Sequence, residues 1–258
     1  GIEVSGNIRR GLSGANLSLD DLASLPNTST ELTRIASVFP GESELMLQAS
    51  ATEQNVRSAL VSTPGVLTFA THGLVSGELE NLNESALLLT PGPDSNNSMD
   101  DGLLTTSEIA DLNIRAKFIS LSACNTAIYD RSLFLDQVGG LTAAFQLAGA
   151  RTILGTLWPV ETNSAELINS KLYASEAFRG GDFSEALNQS QRAFINGDHG
   201  IAFQHPRFWA AYNLYGPRQN IIELDSNAAP VLRQDTTGRV AALFKTDFQN
   251  SLAVAAVQ

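Results

Sequence analysis

A lone cysteine and a histidine are the residues best suited to covalent chemistry in this chain. Cys124 is the single cysteine, and His72 is one of three histidines. A cysteine nucleophile needs an imidazole to take its proton and backbone N–H groups to hold the oxyanion that forms on the attacked carbonyl. Both residues follow short apolar runs. Val66-Leu67-Thr68-Phe69-Ala70 leads into Thr71-His72-Gly73, and Phe118-Ile119-Ser120-Leu121-Ser122 leads into Ala123-Cys124-Asn125-Thr126. Runs of this length and character are those of strands buried on both faces of a parallel sheet. Neighbouring parallel strands lie about 4.8 Å apart, so side chains leaving their carboxyl ends come within reach of each other, and the turns beyond present N–H groups. Gly73 lets the backbone approach a substrate closely. Ligands of open α/β sheets bind at this edge. A lone cysteine is also among the most readily buried of side chains, so the pattern by itself leaves inert packing open beside catalysis.

The elements needed to position the pair follow along the chain. Leu32, Ile35 and Val38 share one face of a helix predicted over 31–38, a strand is predicted at 44–47, and helical spacing resumes over 51–62. Residues 86–90 read as an outlying strand closed by Pro91-Gly92-Pro93, and 94–101 as a surface loop. Thr105 with Glu108 has the capping-box spacing at the head of a short helix to Leu112. A helix over 138–147 stopping at Gly149, a third strand over 151–157, and helices over 162–178 and 183–195 continue the alternation. A short helix at 206–212 leads into Asn213-Leu214-Tyr215-Gly216. The expected class is α/β with a mostly parallel sheet flanked by helices on both faces.

Composition bounds the function. The chain has 258 residues, 43% hydrophobic and 17% charged, within the range of packed globular domains. Its net charge of -11 opposes binding to a phosphate backbone or an anionic surface, so neither nucleic acid nor membrane is an expected partner. No run approaches the roughly 18 apolar residues of a membrane span, and one cysteine cannot form an internal disulfide; the expected location is cytoplasmic. His199 and His205 with one cysteine make no zinc set, and there is no phosphate-binding glycine loop, so neither metal nor cofactor is expected. The opening Gly1-Ile2-Glu3-Val4 lacks a methionine, and a chain cut from something longer is expected. Residues 1–24 read as linker or remnant, 25–218 as the main domain, and 219–258, with runs at 221–224 and 240–244, as a β-rich appendage or the start of a further module.

Leu67-Thr68-Phe69-Ala70-Thr71-His72-Gly73 and Ser120-Leu121-Ser122-Ala123-Cys124-Asn125-Thr126 resemble the His-Gly and Ser-Ala-Cys-Asn-Thr signatures of CHAT domains, caspase relatives often fused to TPR arrays. The resemblance extends in order through Asp101-Gly102-Leu103-Leu104-Thr105, Gly140-Leu141 with Ala148-Gly149-Ala150, Leu157-Trp158-Pro159-Val160, and His205-Pro206 with Trp209-Ala210, covering about Leu25 to Gly216. It implies a caspase-like fold whose first strand is missing from this fragment. It also implies a cysteine endopeptidase with His72 as base and Cys124 as nucleophile, the backbone N–H groups of Gly73 and Cys124 forming the oxyanion hole. The expected substrate is a protein partner in a bacterial signalling or defence system, under a TPR or other regulatory region of the full-length chain. A catalytically silent scaffold that binds partners is the alternative. Trp158 and Asn125 are candidates for the substrate groove. Glu161 is a candidate for the floor of a pocket taking a basic P1 side chain, although Thr162 stands where many CHAT sequences continue an acidic pair. Glu161 alternatively favours the N-terminus of the helix that follows it.

Overall fold

The computed structural model describes residues 28–39, 42–62, 65–79, 82–93, 100–122 and 140–216, with three strand segments at 232–234, 240–242 and 250–256. In chain order these contain α1 (Thr28–Ser37), β1 (Glu42–Leu47), α2 (Glu53–Ser62), β2 (Val66–Phe69), β3 (Gly73–Leu74), β4 (Ala86–Leu88), β5 (Leu103–Thr105), α3 (Thr106–Ala110), β6 (Phe118–Leu121) and α4 (Leu141–Leu147). There follow β7 (Thr152–Thr156), α5 (Thr162–Ala174), α6 (Glu176–Arg179), α7 (Phe183–Asn196), β8 (Tyr212–Tyr215), β9 (Leu232–Gln234), β10 (Val240–Ala242) and β11 (Asn250–Ala256). The main sheet runs β1-β11-β2-β6-β7-β8, and its neighbours pair in parallel except for β7 with β8. A small antiparallel sheet, β3-β4-β5, grows from the end of β2. The expected class stands: mixed α/β, with a mainly parallel sheet flanked by helices.

Period-two alternation divides the core. Leu67, Phe69, Ile119, Leu121 and Ile153 face a mainly aliphatic layer built on Val56 and Leu60 of α2, Ile109 of α3 and the ring of Phe145 of α4. Val66, Ala70, Phe118 and Leu154 face the opposite layer, where Leu32 and Ile35 of α1 meet Ile168, Leu172 and Tyr173 of α5, Phe178 of α6 and Phe183 of α7. Aromatic rings crowd this second layer; Phe118 meets Phe178 edge-on at 5.0 Å and Phe183 at 4.6 Å.

Helix ends follow local chemistry. Thr105 and Glu108 form the expected capping box, Glu108 N–H donating to the Thr105 hydroxyl at 3.4 Å and Thr105 N–H to the Glu108 carboxylate at 2.9 Å. Gly149 stops the turn after α4 at φ 109°, where a Cβ would stand 2.6 Å from the Ile114 carbonyl oxygen. The helix expected over 162–178 is two helices. Ser175 is extended (φ −73°, ψ 146°), its hydroxyl accepting from Phe178 N–H, so it ends α5 and caps α6. Where a helix over 206–212 was expected, residues 206–208 form a single 3₁₀ turn, and Tyr212–Tyr215, at the end of that expected helix and in the segment it leads into, is a strand paired antiparallel to β7.

The segment set apart at 219–258 divides in two. Residues 221–224 lie outside the described residues, while β10, within the expected run at 240–244, pairs with β9 in a two-stranded antiparallel sheet among the described residues. β11, which no local pattern announced, enters the main sheet between β1 and β2, parallel to both. β1 and β2 are consecutive parallel strands with α2 between them, yet they stand one strand apart, and β11 closes the gap.

Candidate active site

The register of β2 and β6 sets the site's frame. Val66 pairs with Phe118, Leu67 with Ile119, Thr68 with Ser120 and Phe69 with Leu121. The ladder runs one step further, Ser122 N–H donating to the Phe69 carbonyl at 2.8 Å. β2, β6 and β7 are parallel, so their carboxyl ends share one edge of the sheet.

At the end of β2 the chain is gripped by the small sheet. The Thr71 hydroxyl donates to the Leu88 carbonyl, and Leu88 N–H donates to the His72 carbonyl at 2.9 Å. Thr71 is buried and His72 half-buried. Gly73 pairs with Leu87 and Leu74 with Ala86. Since the bonded pair is His72 with Leu88, antiparallel alternation makes Gly73 and Leu87 the non-bonded pair and directs the Gly73 N–H away from β4.

At the end of β6, side chains replace backbone as the anchor. Glu31 of α1 is 3% exposed, Asn169 of α5 is fully buried, and the two meet at Ser122. The Asn169 amide donates to the Glu31 carboxylate at 2.6 Å and to the Ser122 hydroxyl at 3.3 Å, and that hydroxyl donates to Glu31 at 3.3 Å. Burial pushes the Glu31 carboxyl up to about 7, against the two hydrogen bonds, which pull it down. Glu166 of α5 adds a smaller upward push and is itself paired with Arg34 of α1. Sequence reasoning missed Glu31 and Asn169, although the signal was there. Thr28, Glu31, Leu32 and Ile35 have the i, i+3, i+4, i+7 spacing of an inner helix face, as do Ala165, Ile168, Asn169 and Leu172. A carboxylate and an amide at such positions are costly to bury without partners.

Cys124 and Asn125 lie outside the described residues. Trp158, just past β7, reaches the same sheet edge; its indole N–H donates to the Arg207 carbonyl at 3.1 Å, tying the 205–209 turn to that edge. Glu161 caps α5. Its carboxylate accepts from Asn163 N–H at 3.1 Å, Ser164 N–H at 3.0 Å and the Ser164 hydroxyl at 2.9 Å, while the residue remains exposed. His205 Nδ1 accepts from Arg207 N–H, and the His199 ring packs against Phe194 at a tilt of 57°, with ring centroids 4.6 Å apart. Among the described residues, no group of three His, Cys, Asp or Glu could hold a metal, and no helix is long and apolar enough to cross a membrane.

Comparison with known proteins agrees with this frame. The family model described as the CHAT domain matches residues 12–217, beginning upstream of the Leu25 expected from the motifs. Tetratricopeptide repeat protein 28 of Mus musculus is 29% identical over 204 residues, covering 66% of this chain, and the Homo sapiens protein is 29% identical over 199 residues, covering 64%. The chain spans about 8% of the length of each of these curated relatives. Both are TPR-containing proteins by name, in keeping with the expected association of this domain with TPR arrays. With a parallel sheet flanked by helices, the His-Gly segment at the end of β2 and the family match over most of its length, this chain belongs to the CHAT domain family, a family of caspase-like peptidases.

Proposed function

We propose that the chain is a cysteine endopeptidase that cleaves a protein partner, with His72 as general base, Cys124 as nucleophile and the Gly73 N–H as an oxyanion donor. The register of β2 and β6 carries this reading. Every paired residue of β6 lies 52 positions beyond its partner in β2, and 52 positions beyond His72 is Cys124. In the proposed reaction His72 takes the thiol proton and the thiolate attacks the scissile carbonyl carbon. The oxyanion is held by the N–H groups of Gly73 and Cys124. Collapse of the intermediate breaks the C–N bond, the imidazolium protonates the departing amine, and His72 then deprotonates the water that hydrolyses the thioester. The direction of the Gly73 N–H away from β4 suits it to this role. Trp158 and Asn125 are proposed to line the substrate groove.

The cytoplasmic, bacterial signalling or defence setting and control by a TPR or other regulatory region belong to the same proposal and rest on the family resemblance. Both relatives are mammalian and give the bacterial part no support. Iodoacetamide labelling near neutral pH tests the dyad directly, because the chain has a single cysteine. A thiol poised beside an imidazole reacts faster than free cysteine. Labelling no faster than free cysteine, or unchanged in His72→Ala, would reject the dyad and leave the silent, partner-binding scaffold.

A further inference from the structure

We propose that Glu31 is a positioning residue of this site, clamping the end of β6 through Ser122, two positions before Cys124, with Asn169 holding the clamp. The inference rests on Cys124 being the nucleophile. Three observations support the clamp on Ser122 itself, whatever the role of Cys124. Glu31 and Asn169 are buried between α1 and α5, where a carboxylate is costly and is held by hydrogen bonds that an apolar residue could not make. The cluster converges on Ser122, the last described residue of the β2–β6 ladder. And the Asn169 Oδ1 atom, buried and without a hydrogen-bond partner among the described residues, shows that the amide is oriented to serve Glu31 and Ser122 with its N–H groups at its oxygen's expense.

Positions 118, 120 and 122 share a parity along β6 and its extension, as do 66, 68 and 70 along β2, and side chains of even parity here face the α1/α5 layer. The clamp thus grips the end of β6 from the α1/α5 side, two positions before Cys124 in the sequence. As a carboxylate, Glu31 accepts both hydrogen bonds as charge-assisted contacts; as a neutral acid it accepts them more weakly. With its carboxyl pushed up to about 7, the change falls within the working range of a cysteine peptidase. The charged and titratable groups facing it are Glu166 of α5, the Arg34 that pairs with Glu166, and the Tyr173 hydroxyl of α5, which burial keeps protonated well above the ordinary tyrosine range. Glu31 is therefore the group of this cluster that changes charge near neutrality.

The test is the rate of Cys124 alkylation by iodoacetamide from pH 5 to 9 in the wild type, Glu31→Gln, Ser122→Ala and His72→Ala. The wild-type profile is expected to carry an inflection near pH 7 that Glu31→Gln lacks. Ser122→Ala, a one-atom deletion at a half-buried position that keeps the fold safe if the Gln variant does not fold, is expected to slow labelling about three- to tenfold above pH 7 and less below pH 6. Fast wild-type labelling, with both clamp variants superimposing on it across the range and His72→Ala slow, would overturn the clamp and leave the dyad standing. Wild-type labelling no faster than free cysteine would overturn the dyad and the clamp with it.

Discussion

The two strand ends that frame the site are in register, yet different forces hold them. β2 ends in backbone pairing: the His72 carbonyl is bonded to Leu88 N–H and the Thr71 hydroxyl to the Leu88 carbonyl, so the histidine is fixed by a second sheet grafted onto the first. β6 ends in side chains: Ser122 is held by a buried carboxylate and a buried amide from two helices. Backbone bonds to a neighbouring strand do not titrate and are indifferent to most substitutions. The Glu31–Asn169–Ser122 cluster does titrate, and each of its members has its own residue requirement. The proposed base is thus held by contacts that carry no titrating group, and the segment that leads to the proposed nucleophile by a cluster that contains one, the Glu31 carboxyl.

The largest effects come from removing the ends' functional groups themselves. Cys124→Ala should abolish cleavage without unfolding the domain, since no neighbouring group supplies a thiolate; residual activity above a tenth of wild type would reject the assignment. His72→Ala should lower kcat by about 100-fold or more, the usual range for loss of a general base, and wild-type turnover in that variant would show that His72 is not the base.

The next effect separates the two grips by pH. A carboxyl raised from 4.5 to about 7 in the folded state keeps a proton there that the unfolded chain has released. Its contribution to stability is therefore complete below about pH 4.5 and is lost as pH rises to about 7. The change amounts to roughly 3 kcal/mol at the usual conversion from pKa to free energy. Glu31→Gln cannot titrate, so its stability relative to wild type should improve by up to that amount between pH 4.5 and 8. Urea unfolding of both proteins at several pH values measures the difference directly, and parallel stability curves would remove Glu31 as the titrating group. Thr71→Val is the matching change at the other end. It deletes one buried hydrogen bond to Leu88 and should cost about 1 kcal/mol, equally at pH 5 and pH 8. A pH-dependent cost there would erase the contrast.

Which parts were legible in the sequence follows from what each part depends on. β2, β6 and β7 are buried on both sides, and mostly apolar, non-alternating runs such as Val66-Leu67-Thr68-Phe69 announce that by themselves. The Thr105–Glu108 box and Gly149 were equally readable, because capping is local chemistry. β11 was not, since its place depends on a gap between β1 and β2 that exists only once the sheet is assembled. The break at Ser175 was hidden because the helical spacing runs on across it while the hydroxyl turns to cap the next helix. Glu31 and Asn169 were hidden in another way: each sits at a core-facing helical position, but the two lie 138 positions apart and only the fold reveals one as the other's partner.

The smallest effect concerns Glu161, where two readings of one residue meet. A carboxylate at the floor of a specificity pocket would pair with an Arg or Lys side chain at P1, and its loss would penalise those substrates alone, by roughly 2–5 kcal/mol. Here the carboxylate is exposed and already accepts from two backbone N–H groups and one hydroxyl at the start of α5, which is the work of an N-cap. Pairing with a substrate cation would have to compete with three donors at 2.9–3.1 Å, without the burial that makes such pairs strong. A glutamine still has a carbonyl oxygen to offer the cap but loses the favourable charge at the helix N-terminus, so Glu161→Gln should lower stability by about 0.3–1 kcal/mol. Its kcat/KM should change little, and equally, on paired Arg-P1 and Leu-P1 peptides. A selective loss on the Arg-P1 peptide would instead give Glu161 a role in substrate recognition, and would mean that the cap opens when substrate binds.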